Sequence, residues 1–481
     1  MEKAKKFAKA VYILLILTVC TIPFLGMLLG WGSESTENRT AAGLPELYTV
    51  TENTREWNTA YTTELGEYYS ENFGFRQELV TAYSWLNEKL FRRSANPKVT
   101  VGSDGWYYFN ETIDDYAGIS ALSDRGIYRL KKTLDLMNRY ASDNHITMLF
   151  FSAPNKNSIY PEYMPRYIQH SNQPSNLDRL SAVLSDSDYY VNVKKVLQDS
   201  AKDKSRSIYL KNDSHWNNIG ALAAYNAMQD NLNSRISHYD YCPVDEGGLN
   251  VSETDTSGDL TRMLYPSFDQ KALQYDLGLT KEFSSDKPLT DLMAQEINTT
   301  CQGRYYNAIC YRDSFFNALI PIQSNAFAKV RYTRQNPYDL TAARSGGFHI
   351  AVLEIVERNL PDLLKNAPIM DAIQTEEPRI TRRRYAQQDC HFVDEGNALV
   401  FSGAIGDWVE LKDDSNIYIE LRSAGGQSYF YEAFPILTDD AYGDNGFSLR
   451  INKYTLHNDE YEAYLHVGNE ELTRYTELQL D

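Results

Sequence analysis

Ala10 to Trp31 forms a run of twenty-two residues with no charged side chain. At about 1.5 Å per helical residue it spans a hydrocarbon core of about 30 Å, so it predicts a membrane-crossing helix. Lys3, Lys5, Lys6 and Lys9 precede the run, which predicts a cytoplasmic tail and an extracytoplasmic remainder of the chain. The alternative is a cleaved signal peptide. The run is longer than a usual apolar core of about 7–15 residues and no clear Ala-x-Ala site follows, which favours the anchor. Beyond a polar stretch from Ser33, Leu79, Tyr83, Leu86 and Leu90 recur at near-helical spacing. Residues 32–100 therefore read as a stalk and helical segment that either holds an outer domain off the bilayer or packs onto it.

From residue 101 to 366 strand and helix signals alternate, which predicts an α/β domain with a largely parallel sheet. Ser123 is placed to cap a helix bearing Ile127, Leu130, Leu134 and Met137, and "ITMLFF" (146–151) is a buried-strand run that empties into the loop "SAPNKNSIYPEYMP". Further strand signals are "SIYL" (207–210), "NAICY" (307–311) and "FHIAVLEIV" (348–356). Residues 244–300 have weak periodicity and read as a long insertion, either covering a site or running irregularly over the surface. Across 377–481 the pattern changes to short strands separated by turn signals, among them "ALVFSGAIG", "WVELK", "IYIELRS", "SYFYEAFPIL", "GFSLRINKYTL", "YEAYLHVG" and "RYTELQL", which predicts a small β-sandwich.

Composition narrows the function class. The 481 residues exceed one ordinary core, and 42% hydrophobic with 13% aromatic content argues for a folded chain despite a formal net charge of -18. That acidity leaves no sustained basic patch, so nucleic acid is not an expected partner. No CxxC pair occurs among the five cysteines, so no metal site is expected. An oxidising compartment would permit a disulfide such as Cys301 to Cys310, which spacing alone does not establish.

Two loops carry residue types suited to catalysis. In "YLKNDSHWNNIGA" (209–221), extended backbone would put Asp213 and His215 on one side, where the carboxylate can fix the imidazole tautomer and stabilise the imidazolium. In "AICYRDSFFNALIP" (308–321), an apolar strand gives way to a polar turn and then a short amphipathic helix, which would expose the Ser314 hydroxyl at a helix start. Each loop alone also reads as a plain helix cap. Both follow a strand and open a helix, so both can reach one rim of one sheet. His215 would then deprotonate Ser314, with Asp213 as its orienting group.

The blocks "ENR" (37–39), "ENFGFR" (71–76), "DGWYYF" (104–109), "PNKNSIYPEYMP" (154–165), "NDSHWNNIGA" (212–221), "RDSFFNALIP" (312–321) and "VLEIVERNL" (352–360) together resemble the DHHW family. That family is itself similar to the alginate O-acetylation proteins AlgJ and AlgX, whose domain resembles SGNH hydrolases with a permuted motif order. The resemblance covers the chain through about residue 366. It implies an SGNH hydrolase-like, flavodoxin-like α/β domain, with the family's Asp-x-His motif on Asp213 and His215 and its Asp-Ser-Phe motif on Asp313, Ser314 and Phe315. It implies an extracytoplasmic O-acetyltransferase acting on a cell-surface or exported polysaccharide, supplied with acyl groups by a membrane-bound O-acyltransferase (MBOAT), and it implies no cofactor.

The chain departs from the SGNH pattern in two places. Arg312 stands where Gly usually precedes Asp-Ser, and the Asp-to-His interval is two rather than three. Asn317 and Asn155 are the candidate oxyanion donors. Trp216 and Tyr160 are candidates for stacking on a sugar ring, and Lys156 and Arg312 for an anionic glycan or donor phosphate. Glu354 and Arg358, four apart, read as a structural ion pair. The expectation is a single-pass membrane protein with an outward O-acetyltransferase domain. An esterase with the same triad and a non-catalytic glycan-binding scaffold are the alternatives.

Overall fold

The computed structural model describes residues 2–32, 42–51, 54–291, 293–378, 382–383, 389–406, 411–437, 445–468 and 470–479. The "ENR" block and residues 408–410 of the "WVELK" segment lie outside them. Helix α1 (Glu2–Leu29) contains a stretch, Lys5–Leu29, of mean hydropathy 2.4 that is long and apolar enough to cross a membrane, and almost none of it is buried. Helix α2 (Arg76–Leu86) continues as a wider π turn, Asn87–Phe91.

The α/β unit is built on six strands: β1 (Thr147–Ala153), β2 (Phe283–Ser285), β3 (Glu296–Cys301), β4 (Asn307–Tyr311), β5 (Lys329–Thr333) and β6 (Ile350–Val356). Their order is β1-β6-β4-β5-β3-β2. β1, β6, β4 and β5 run parallel, while β3 and β2 close one edge antiparallel. β6 is buried at every position and β1 at all but its first, as apolar strands covered on both faces must be. Successive side chains point to opposite faces, so Met148 and Phe150 join one core and Leu149 and Phe151 the other. Helix α3 (Asp124–Asp143) covers the first core with Ile127, Leu130, Leu134 and Met137, its start capped by the Ser123 hydroxyl accepting from Gly126 N–H. Helix α4 (Asn218–Arg235) covers the second with Leu222, Tyr225 and Met228.

The structure corrects two expectations about this region and leaves its two strand cysteines unpaired. "SIYL" adds no strand to the sheet: only a Tyr209 to Trp216 bridge forms, because the chain doubles back at once into the loop that leads to α4. Residues 244–300 are not an irregular excursion. They form the Ser252–Ser257 and Lys271–Asp276 hairpin, helix α5 (Asp259–Leu264) between its strands, and both antiparallel edge strands. Cys301 and Cys310 are both free, the first held near carbonyl oxygens and the second against Gln323.

The C-terminal strands form two sheets. Ile417–Ser423, Ser428–Glu432 and Glu460–Val467 belong to one, and Ala398–Ala404, Phe434–Ile436 and Gly446–Asn452 to the other. Leu399, Phe401, Leu449 and Ile451 meet Ile419, Leu421, Ala463 and Leu465 in one shared core, which is the sandwich arrangement.

Candidate active site

Parallel strands end on one rim of the sheet, and the loops leaving β1, β4 and β6 meet there. After β4 the chain turns through Arg312, Asp313 and Ser314 into a four-residue 3-10 turn, Phe315–Ala318, followed by the single helical turn Ile320–Gln323. This is shorter than the amphipathic helix expected, so little macrodipole is available at Ser314. Asp313 performs the capping. One carboxylate oxygen accepts from Phe315 N–H at 2.8 Å and the other from Val356 N–H at 2.9 Å, tying the exit of β4 to the end of β6. The Ser314 hydroxyl makes no capping bond. It lies 2.8 Å from His215 Nε2 instead.

His215 sits in a turn rather than in extended backbone. Asp213 Oδ1 accepts from both His215 N–H at 2.9 Å and His215 Nδ1 at 2.7 Å, so the carboxylate fixes the backbone and the ring at once. Asn217, not Asp213, caps α4, its Oδ1 accepting from Ile219 and Gly220 N–H. With Nδ1–H facing Asp213, Nε2 is the free acceptor toward Ser314. About a quarter of the His215 side chain reaches solvent, and Ser314 is half-buried, so the pair is accessible from outside.

A second carboxylate, which sequence reasoning did not single out, stands behind the histidine. Asp259 is the first residue of α5. Its N–H donates to Asp213 Oδ2 at 2.8 Å, and its own carboxylate accepts from Ser214 N–H at 2.7 Å and Ser214 Oγ at 2.5 Å, with Oδ2 3.6 Å from His215 Nδ1. Ninety-nine residues separate His215 from Ser314, and forty-six separate Asp213 from Asp259. A Gly-Asp start to a helix looks like any cap, so only the fold brings this group in. Asp213, His215 and Asp259 place three potential ligand atoms within 4.8 Å of one another. Their oxygens are engaged by N–H and O–H donors and the ring by Asp213, an arrangement that serves the imidazole.

Charge follows from this geometry. Burial pushes the Asp213 carboxyl up, but His215 and the N–H groups of Asp259 and His215 outweigh it and hold the pKa down at about 2. For His215, burial works against the imidazolium, while Asp213 first and then Asp259 and Asp313 overcome it, leaving the pKa above its usual value. Asp259 is raised by burial and by the neighbouring Asp213 charge.

Four proposed substrate contacts are placed elsewhere by the fold. Lys156 is buried, and its ammonium donates to three carbonyl oxygens of the histidine loop, Leu210 and Lys211 at 2.9 Å and Asp213 at 2.6 Å. It shapes the loop from beneath and does not reach an outside anion. Trp216 is buried and donates from Nε1 to the Phe315 carbonyl at 2.9 Å, locking the His215 and Ser314 loops together. Tyr160 is buried too, with its hydroxyl accepting from Ile208 N–H and its ring against Trp106. Neither ring offers a face to a sugar. Arg312 is buried and donates to Asn317 Oδ1 at 2.7 Å and to the Ala294 carbonyl at 3.0 Å. The residue replacing the usual glycine therefore sets the orientation of Asn317, whose Nδ2 is left as its donor end.

Asn155 is buried and gives its amide to Asp115 at 3.1 Å, so that N–H is not directed at Ser314. Glu354 does not pair with Arg358. It is buried in β6, accepts from Asp313 N–H at 2.8 Å, and is driven toward the neutral acid by burial and by Asp313. The Arg358 guanidinium lies over the rings of Phe109 at 5.2 Å and Phe315 at 5.7 Å, next to the Ser314 turn.

Comparison with known proteins agrees with the resemblance. Residues 99–294 match a family model described as SGNH hydrolase-like domain, acetyltransferase AlgX. That stretch holds Asp213, His215 and Asp259 and stops short of Ser314. Among solved structures, Bacillus cereus PatB1, also solved with a sulfonyl adduct, is 14% identical with a TM-score of 0.43, covering 55% of this chain and 95% of its own. The O-acetyltransferase domain of Pseudomonas putida AlgJ is 15% identical at a TM-score of 0.37, covering 55% and 92%. A DHHW family protein from Eubacterium siraeum is 12% identical at 0.38, covering 55% and 91%. No curated protein matches the chain. The α/β unit is SGNH hydrolase-like, carrying one N-terminal apolar helix and C-terminal strands.

Proposed function

We propose that this protein is a membrane-anchored, extracytoplasmic O-acetyltransferase that modifies a cell-surface or exported polysaccharide through an acyl-serine intermediate. One observation carries the proposal: Ser314 Oγ, His215 Nε2, His215 Nδ1 and Asp213 Oδ1 stand in a single hydrogen-bonded chain with links of 2.8 and 2.7 Å. His215 takes the Ser314 proton as Oγ attacks the acyl carbonyl, and returns it to the departing group of the donor. An acceptor sugar hydroxyl then gives its proton to His215 and attacks the acyl-serine ester, and as the ester C–O bond breaks His215 passes that proton to the departing Ser314 Oγ, which restores the neutral imidazole and hydroxyl and completes transfer. Asp213 holds the imidazolium at both steps. Asn317, held by Arg312, is the donor assigned to the developing oxyanion. Arg358, beside Phe315, is the cation assigned to an anionic sugar.

The acetyltransferase description of the matched family supports the reaction class. The apolar stretch of α1, preceded by lysines, supports an anchor with the catalytic unit outside. Acetyl-CoA is not available there, so an MBOAT partner is the proposed acyl source. Water attacking the same intermediate would make the protein an esterase. Purified protein given an activated acetyl ester distinguishes the outcomes: acetylated oligosaccharide is expected, whereas hydrolysis indifferent to added sugar identifies the esterase. Ser314→Ala should lose labelling by a serine-reactive phosphonate. Undiminished labelling would overturn Ser314 as the nucleophile, and polymer acetylation unchanged when Ser314, His215 and Asp213 are each replaced would leave the chain as a glycan-binding scaffold.

A further inference from the structure

Helix α2 is mounted inside out. The stripe that its sequence spacing marks as apolar faces away from the protein, with Leu79 49%, Tyr83 61%, Leu86 43% and Leu90 65% exposed. Its polar side is the docked side. Thr81 Oγ1 accepts from Ser267 N–H at 3.1 Å and shares a bond with Ser267 Oγ at 2.8 Å, and Glu88 accepts from the hydroxyls of Tyr107 and Tyr265. A surface helix of a water-soluble domain shows the opposite arrangement. An exposed apolar stripe of this length implies an occupant.

The start of α2 indicates which occupant. Gly74 N–H donates to the Pro23 carbonyl of α1 at 2.8 Å, and Phe75 N–H to Trp31 O at 3.3 Å. A Cβ on Gly74 would fall 2.5 Å from the Gly26 backbone, so the two backbone segments are in direct contact there. Pro23 lies six residues before the end of α1, about 9 Å along its axis. Where α1 spans a bilayer, the turn that launches α2 thus lies between the outer end of α1 and about 9 Å inward of it, within the roughly 5–10 Å to which interfacial helices bury their apolar face. At its far end the helix runs into exposed Arg92 and Arg93, local positive charge in a chain of net -18.

We propose that α2 and its π turn lie in the outer membrane–water interface as an amphipathic foot, with the Leu79-Tyr83-Leu86-Leu90 stripe in lipid and Arg92 and Arg93 on anionic headgroups. This inference rests on the membrane anchoring proposed above. Its consequence is mechanical. The same polar face of α2 grips Ser267 and Tyr265 immediately after α5, the helix whose first residue holds Asp213, so the foot sets the height of the catalytic loop above the bilayer.

The test places an environment-sensitive fluorophore on Leu86→Cys or Leu90→Cys in the full-length protein, with Cys20, Cys242 and Cys390 replaced by serine, in vesicles containing phosphatidylglycerol. Leu15→Cys in α1 and Asp203→Cys, at an exposed position, serve as references. Labels at Leu86 and Leu90 are expected to emit at shorter wavelength than the Asp203 label and to lose fluorescence to nitroxides carried at headgroup level. The Leu15 label should be quenched by nitroxides deep in the acyl chains. Labels at 86 and 90 that behave like Asp203 while Leu15 is quenched would overturn the foot and leave the anchor standing. Blue-shifted but unquenched labels would overturn it in favour of a protein cover, a second copy or the acyl-supplying partner. An unquenched Leu15 label would remove the anchor itself.

Discussion

At the scale of residues, two carboxylates act on one imidazole. In the proposed mechanism His215 must be neutral to accept the Ser314 proton, and its pKa lies above the ordinary 6.5, so kcat/KM should fall on the acid side of that raised value. Asp259→Asn removes a charge 3.6 Å from Nδ1 and keeps the backbone N–H that holds Asp213. It should move the acid limb of the pH profile to lower pH with a modest loss of plateau rate. Asp213→Asn should move it the same way and lower kcat by about 10⁴-fold, because the ring loses its orienting acceptor. Stability follows the same pair. Asp213, depressed to about 2 from 3.8, contributes above 3.8 and loses its contribution as pH falls through about 2. His215, raised, contributes fully below 6.5 and loses its contribution as pH rises through its folded value. Thermal melts should therefore show the largest difference between wild type and Asp213→Asn from about pH 4 to 6.5. Lys156 gives a separate expectation. Lys156→Met strands three buried carbonyls of the histidine loop and should cost on the order of 3 kcal/mol in urea unfolding.

At the scale of elements, the site depends on loops approaching closely. α5 meets the Asp213 loop at Gly258, where a Cβ would stand 2.3 Å from the Asn212 carbonyl oxygen. Gly258→Ala must push α5 off that loop, lengthening the Asp259 to Asp213 bond. The expected result is a loss of about 1–3 kcal/mol in denaturant melts. A fall in kcat exceeding any change in KM should accompany it, since the change reaches the histidine and not the substrate surface. Elements that repeat were legible beforehand: the Ser123-capped helix, β1, β4, β6 and the C-terminal strands all carry periodic or continuous apolar runs. The edge strands β2 and β3 were not. Phe283–Ser285 and Glu296–Cys301 are short, rich in Ser and Thr and partly exposed, so their pattern matches a loop until the neighbouring strand supplies their hydrogen bonds.

At the scale of the whole molecule, the sandwich is seated on the α/β unit. Phe434 of an edge strand joins the α3-side core, Lys132 of α3 reaches Glu432 at 2.5 Å, Tyr128 donates to Asn416 at 2.7 Å, and Leu437 N–H donates to the Leu364 carbonyl at 2.6 Å. Such a junction couples the two units in unfolding. Calorimetry of the intact chain should show one dominant transition, and Phe434→Ala should both lower stability by about 3–5 kcal/mol and split that transition into two.

Periodicity determined the apolar helix, the strands of the sheet core and the β-rich C-terminal part, because burial writes its period directly into the order of residues. The motif spacing carried Asp213, His215 and Ser314 as well, since a turn that opens a helix after a strand is a local signal. Contacts across the fold decided the rest. Asp259 reaches His215 only through the separate two-stranded hairpin of Ser252–Ser257 and Lys271–Asp276, and Lys156, Trp216, Tyr160 and Arg312 became internal struts because the loops that carry them close over one another. The apolar stripe of α2 was visible as a pattern, yet which way it points depends on partners for its polar face that lie some 180 residues away.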